Sequence, residues 1–93
     1  MRNLTMLTDL YELTMMYGYW KKDMGKNRAV FDMFYRATSE ITAYAIAAGL
    51  EQVIEYVNNL HFAEEDIAYL RSLNLFDESF LDYLRNFKFT GDI

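Results

Sequence analysis

Residues 7–20 read LTDLYELTMMYGYW, and this stretch decides how the first third of the chain folds. Thr8 and Asp9 are good helix N-caps, because a short side-chain oxygen accepts a hydrogen bond from the free N–H groups of a first turn. Glu12 stands three residues after Asp9, the spacing of a capping box, and its charge suits the positive end of the helix dipole. Leu10, Leu13, Tyr17 and Trp20 then recur at steps of three and four, one apolar stripe. Tyr11, Met15 and Gly18 form a second stripe at similar spacing. A helix apolar on two faces is covered on both, or keeps one for a partner or ligand. Gly18 costs roughly 1 kcal/mol against alanine in a helix interior; close backbone approach or a fraying helix end would each account for it. Tyr11 fits a core or interface aromatic, and a ring exposed at a first turn is also suited to stacking on a flat ligand. The spacing does not choose between the two.

The 93 residues make at most one domain, with a thin margin for burying a core. Aromatics are 17% of the chain, too many for so small a body to cover, so some rings are expected to meet something else. There is no cysteine, which removes disulfides and thiolate metal sites, and the single histidine, His61, removes a multi-histidine site. Charge is uneven: residues 1–36 carry six basic against four acidic side chains, residues 37–93 three against ten. That acidic second half argues against nucleic acid as a partner. The first 20 residues lack the basic start and continuous apolar core of a signal peptide. The longest apolar run, Ala43–Leu50, is far too short to span a bilayer. No membrane association is expected, and a cytoplasmic location is the default.

Further along, KKDMGKN at 21–27 is a polar turn. RAVFDMFYR at 28–36 alternates Phe31, Met33 and Tyr35 with Val30, Asp32 and Phe34, and is expected to be a strand covered on both faces. Arg36 ends it, either as a strand-end arginine in solvent or as a phosphate or carboxylate contact. Residues 37–42 read as a connector and 43–48 as the start of a second short strand. After Gly49, the positions Leu50, Val53, Ile54 and Val57 predict an amphipathic helix to Asn59. A third helix is expected over 63–73, with Glu64, Glu65 and Asp66 in its first turn and Asn74 as its stop. A fourth starts at Asp77 and buries Phe80, Leu81, Leu84 and Phe87. Residues 87–93 read as the beginning of a strand or turn. His61 falls in a helix–helix link, without a nearby nucleophile or base, and reads as a structural residue. No Ser/His/Asp arrangement, paired-carboxylate cleft or glycine-rich loop is visible.

Five segments carry a resemblance that runs nearly end to end: LTDLYELTMMYGYW at 7–20, RAVFDMFYR at 28–36, YAIAAGLEQVIEYV at 44–57, EEDIAYLRSL at 64–73 and FLDYLRNFKFTGDI at 80–93. Together they resemble the N-terminal part of nicotinate phosphoribosyltransferase. The resemblance implies an α+β fold: the helix-rich N-terminal α/β domain of a type II phosphoribosyltransferase, here residues 1–93, without the barrel domain that carries the active site. It implies nicotinate and phosphoribosyl pyrophosphate as substrates, and nicotinate mononucleotide as product. It further implies that ATP hydrolysis with Mg2+ drives the reaction, as the entry step of NAD salvage. It also implies a homodimer in which the N-terminal domain of one subunit closes the other's site.

Tyr11, the tyrosine of the TDLY motif, is similar to the family's pyridine-ring contact. Arg36 is similar to the family arginine near the phosphate region. The phosphorylated histidine, the nicotinate-binding arginine and the phosphoribosyl-pyrophosphate loop belong to the barrel, and His61 does not match the catalytic histidine's motif. This segment alone is therefore expected to be inactive and to bind no cofactor by itself. After Arg36 the family carries an asparagine-proline-phenylalanine-glycine-glycine type of loop, where this chain has ATSEITA at 37–43. The other reading is a small self-associating interaction module that keeps the fold and has lost the chemistry.

Overall fold

The computed structural model describes residues 2–36 and 44–93. Four helices appear in chain order: α1 (Leu10–Lys21), α2 (Leu50–Asn58), α3 (Glu64–Ser72) and α4 (Glu78–Arg85). All four lie where the apolar spacing predicts them. The connector at 37–42 and the family-divergent stretch at 37–43 lie outside the described residues.

The core sits where α1, α3 and α4 meet. Leu13, Phe62, Ile67, Leu70, Phe80, Leu81 and Leu84 are buried there, with Met6, Met16, Tyr17, Trp20, Leu73, Phe76, Tyr83 and Phe87 packed around them. Phe80 is the hub. Its ring centroid lies 4.9 Å from that of Tyr17, 5.5 Å from Trp20, 5.5 Å from Phe76 and 6.0 Å from Tyr83. Separations of this size, tilted or offset, are the favourable arrangements for aromatic quadrupoles. Phe62 precedes the α3 N-cap Ala63 and Ile67 is its fourth helical residue, the spacing of a hydrophobic staple that fixes how the chain enters α3.

The ends of the helices follow simple rules. Asp66 accepts a hydrogen bond from the Ala63 N–H at 2.9 Å; this is half of a capping box, because alanine offers no oxygen in return. Asn74 ends α3 in the left-handed region, φ 57°, as its place after the periodic residues predicts. Gly49, the α2 N-cap, has φ 99°, a conformation that side chains with a Cβ rarely adopt, so glycine is required here for its backbone. Asp77 is the α4 N-cap but makes no side-chain cap bond; it pairs with Lys21 Nζ at 3.4 Å and so ties α4 to the end of α1.

Exposed ion pairs link α3 and α4. Arg71 donates to both Glu78 oxygens, at 2.6 and 3.0 Å, and Arg85 reaches Glu64 at 2.6 Å as well as Asp82. The Arg71 hydrogen bond holds the Glu78 carboxyl below the ordinary glutamate range. The stability it adds is fully present above that ordinary value and is lost as the pH falls through the depressed one. On an exposed pair the contribution is small.

The α+β expectation is not met: the described residues are helical and no strand is formed among them. The segment at 28–36 alternates as a strand would, yet Val30 and Met33 are 95% exposed and Phe31 is 89% exposed. A strand exists only by pairing with a ladder partner and covering its faces, and the described residues offer neither. Residues 44–48 and 87–93 likewise form no strand. The α2 stripe also stays open, with Leu50, Val53 and Ile54 exposed. The Cα radius of gyration is 16.1 Å, against about 12 Å for a globular body of this length. The apolar side chains of 28–36 and 44–48 therefore lie uncovered beside the packed helices.

Gly18 was expected to sit under a close neighbour or at a fraying end. A Cβ built there meets nothing within 4 Å, so close approach does not account for the glycine, which lies in the last turn of α1. Gly18→Ala is therefore expected to stabilise the chain by about 0.5–1 kcal/mol, read as a raised urea midpoint at unchanged m-value.

Candidate functional site

The burial of one α1 face sets what the other presents. Leu13 is buried and Tyr17 and Trp20 pack on the core, so the rotation of the helix is fixed. Leu10, expected in the same stripe, is 46% exposed, because the first turn overhangs the core edge. Tyr11, Met15 and Tyr19 then face outward at four-residue spacing, and Tyr11 is 60% exposed. The result is an exposed edge of two rings around a thioether, suited to a flat aromatic ligand. Thr14 Oγ1 donates to the Tyr11 carbonyl at 3.0 Å, which tightens the turn beneath the ring.

The cap expected of Thr8 and Asp9 is not made. Asp9 has N-cap backbone angles, φ −82° and ψ 147°, but no side-chain cap bond. A hydrogen-bonded clasp lies upstream of that turn instead. Thr5 is buried; its hydroxyl donates to Asn3 Oδ1 at 2.7 Å and accepts from the His61 N–H at 3.2 Å. Asn3 Oδ1 also accepts the Thr5 N–H at 3.1 Å, and its Nδ2 donates to the His61 carbonyl at 3.3 Å. The His61 ring bonds to the Asn59 carbonyl at 2.8 Å. This clasp joins residues 56 and 58 positions apart in sequence and closes one wall of a cavity of about 230 Å³ that Glu55 and Tyr56 also line. His61 is thus a hydrogen-bonded structural residue, as its lone position suggests.

Arg36 is exposed at the edge of the described residues. Among those residues no hydrogen bond, ion pair or cation–π contact joins it to Tyr11. A broader hollow of about 500 Å³ between the ends of α1 and α4 has Trp20, Tyr83 and Phe87 in its wall and Lys26 and Lys88 at its rim. Among the described residues no group of three His, Cys, Asp or Glu side chains is placed to hold a metal ion. Among the described residues no helix is long and apolar enough to cross a membrane.

Comparison with known proteins matches residues 6–93 to the family model described as the nicotinate phosphoribosyltransferase (NAPRTase) N-terminal domain. The chain belongs to the nicotinate phosphoribosyltransferase family. A nicotinate phosphoribosyltransferase of Mycobacterium tuberculosis is 42% identical over 88 residues, covering 95% of this chain and 19% of the relative. Nicotinate phosphoribosyltransferase 1 of Arabidopsis thaliana is 42% identical over 81 residues, 86% of this chain and 14% of the relative. The Bacillus subtilis enzyme is 37% identical over 79 residues, 85% of this chain and 16% of its own length. The chain therefore spans less than a fifth of the curated relatives it matches. The matched region contains all four helices and the exposed Tyr11 turn.

The clasp went unseen in sequence, because no periodicity links Asn3 or Thr5 to His61. The core role of Phe62 was also missed, although its staple spacing to Ile67 was a readable signal.

Proposed function

We infer that this chain acts as the N-terminal part of an enzyme that joins nicotinate to phosphoribosyl pyrophosphate. The product is nicotinate mononucleotide, for NAD biosynthesis, with ATP hydrolysis and Mg2+ supplied through the rest of the catalytic apparatus. The observation that carries the reading is Tyr11, 60% exposed on the first turn of α1, inside the stretch that matches the family. In this reading Tyr11 stacks on the pyridine ring. Arg36 lies by the phosphate groups, where a guanidinium fork suits phosphate oxygens. The barrel domain brings the reacting groups, the enzyme is a cytoplasmic homodimer, and one subunit's N-terminal domain covers its partner's site. The exposed apolar stretches 28–36 and 44–48 support a body that meets further protein, since Val30, Phe31, Met33 and Ile46 are each more than four-fifths exposed.

The same exposure favours a second reading, a self-associating module without chemistry. Turnover separates them. The 93-residue chain alone is expected to form no nicotinate mononucleotide from nicotinate, phosphoribosyl pyrophosphate, ATP and Mg2+. The native polypeptide that carries this sequence is expected to form it, and a native polypeptide without turnover would favour the module.

A further inference from the structure

We propose that the Asn3–Thr5–His61 clasp is a positioning device that holds the α1 first turn, and with it the Tyr11 ring, in the orientation that meets a flat ligand. The inference rests on the nicotinate reading of Tyr11. It starts from a gap in local structure. A helix start leaves its first N–H groups without intrahelical partners, and the usual remedy, a side-chain oxygen at the N-cap, is absent at Asp9. The first turn keeps a backbone bond from the Glu12 N–H to the Asp9 carbonyl at 3.1 Å. Its position in space comes from Leu13 below and from the strap of residues 2–8 before it.

That strap is fixed at one polar point. Thr5 is 6% exposed and is the buried polar side chain among the described residues. Its hydroxyl is used as both donor and acceptor, to Asn3 and from the α2–α3 link at His61. From Thr5 the chain turns through the bonds Leu7 N–H to the Leu4 carbonyl and Thr8 N–H to the Met6 carbonyl, both 2.9 Å, and runs directly into Asp9. The clasp is thus an anchor point six residues before Tyr11, and α2 shares it through Asn59. Loss of the hydroxyl leaves the His61 N–H without its partner and Asn3 Oδ1 with the Thr5 N–H alone, and frees the strap while the aromatic core stays intact.

Hydrogen exchange tests this on the 93-residue chain. In Thr5→Val, the Glu12 and Leu13 amides are expected to exchange about tenfold faster, while those of Leu70 and Leu84 change less than about twofold. Thr5→Ser is expected to restore the original rates. Equal acceleration of all amides would make Thr5 a stability residue only and overturn the proposal; so would no acceleration. If Thr5→Val does not fold, Asn3→Ala, at an exposed position, carries the same expectation. In the native polypeptide, Thr5→Val is expected to raise KM for nicotinate about three- to tenfold and leave KM for phosphoribosyl pyrophosphate and kcat unchanged. An unchanged nicotinate KM, alongside a Tyr11→Ala variant that raises it, would sink the clasp and spare the reading of Tyr11. An unchanged KM in Tyr11→Ala would sink the reading itself.

Discussion

Phe80→Ala is expected to remove the cooperative unfolding transition of this chain. Phe80 is fully buried and four other rings lie within 6.0 Å of it, centroid to centroid. Truncation there costs about 3–5 kcal/mol, from lost transfer energy and an unfilled cavity. A domain of this length has roughly 5–14 kcal/mol of stability in all. Among the described residues seven buried hydrophobic side chains make a small core, which places this chain toward the lower end, so one ring accounts for most of what holds it. Trp20, the single tryptophan, packs at 5.5 Å from Phe80 and reports the loss. Its emission is expected to shift to the red without denaturant in Phe80→Ala and to stay native-like in Phe80→Leu. Val30→Ser is the contrast. Val30 is 95% exposed, and its replacement is expected to change stability by less than about 0.5 kcal/mol. A Phe80→Ala chain that melts like the parent would show that the aromatic cluster is not the core.

The difference between those two positions also explains which features were legible in sequence. Phe80, Leu81 and Leu84 repeat at helical spacing on α4, which packs against α3, the helix just before it, and against the Tyr17 and Trp20 rings of α1, so pattern and structure agree. Val30 to Tyr35 alternate just as clearly, but alternation states a requirement for covering layers and a ladder partner. A helix satisfies its own backbone; a strand does not. The α2 helix shows the same split: its bounds at Leu50 and Asn58 follow from the apolar stripe, while the burial of that stripe depends on a partner. In the site, the outward turn of Tyr11 was readable only as one of two faces, and Leu13 decides which. The clasp was not readable at all, because hydrogen bonds between Asn3, Thr5 and His61 depend on how the chain returns to its beginning.

Tyr11→Ala is expected to weaken nicotinate binding in the native polypeptide about 10- to 100-fold and to leave folding nearly unchanged. The two halves of that expectation come from the same geometry. A tyrosine 60% exposed contributes little to the core, so the melting curve of the 93-residue chain should move by less than about 0.5 kcal/mol. A flat heterocycle stacked on that ring gains about 1–3 kcal/mol, which is the affinity that truncation removes. Tyr11→Phe keeps the face of the ring and is expected to retain most of the affinity, whereas Tyr11→Leu keeps bulk without the π face and should not. Tyr19 is an internal control, since it lies on the same outward edge two turns further along α1 and is 49% exposed. Its replacement by alanine should leave nicotinate binding unchanged if the ligand meets the first turn. Equal losses at Tyr11 and Tyr19 would instead point to an extended aromatic docking edge and favour a protein partner over a pyridine ring.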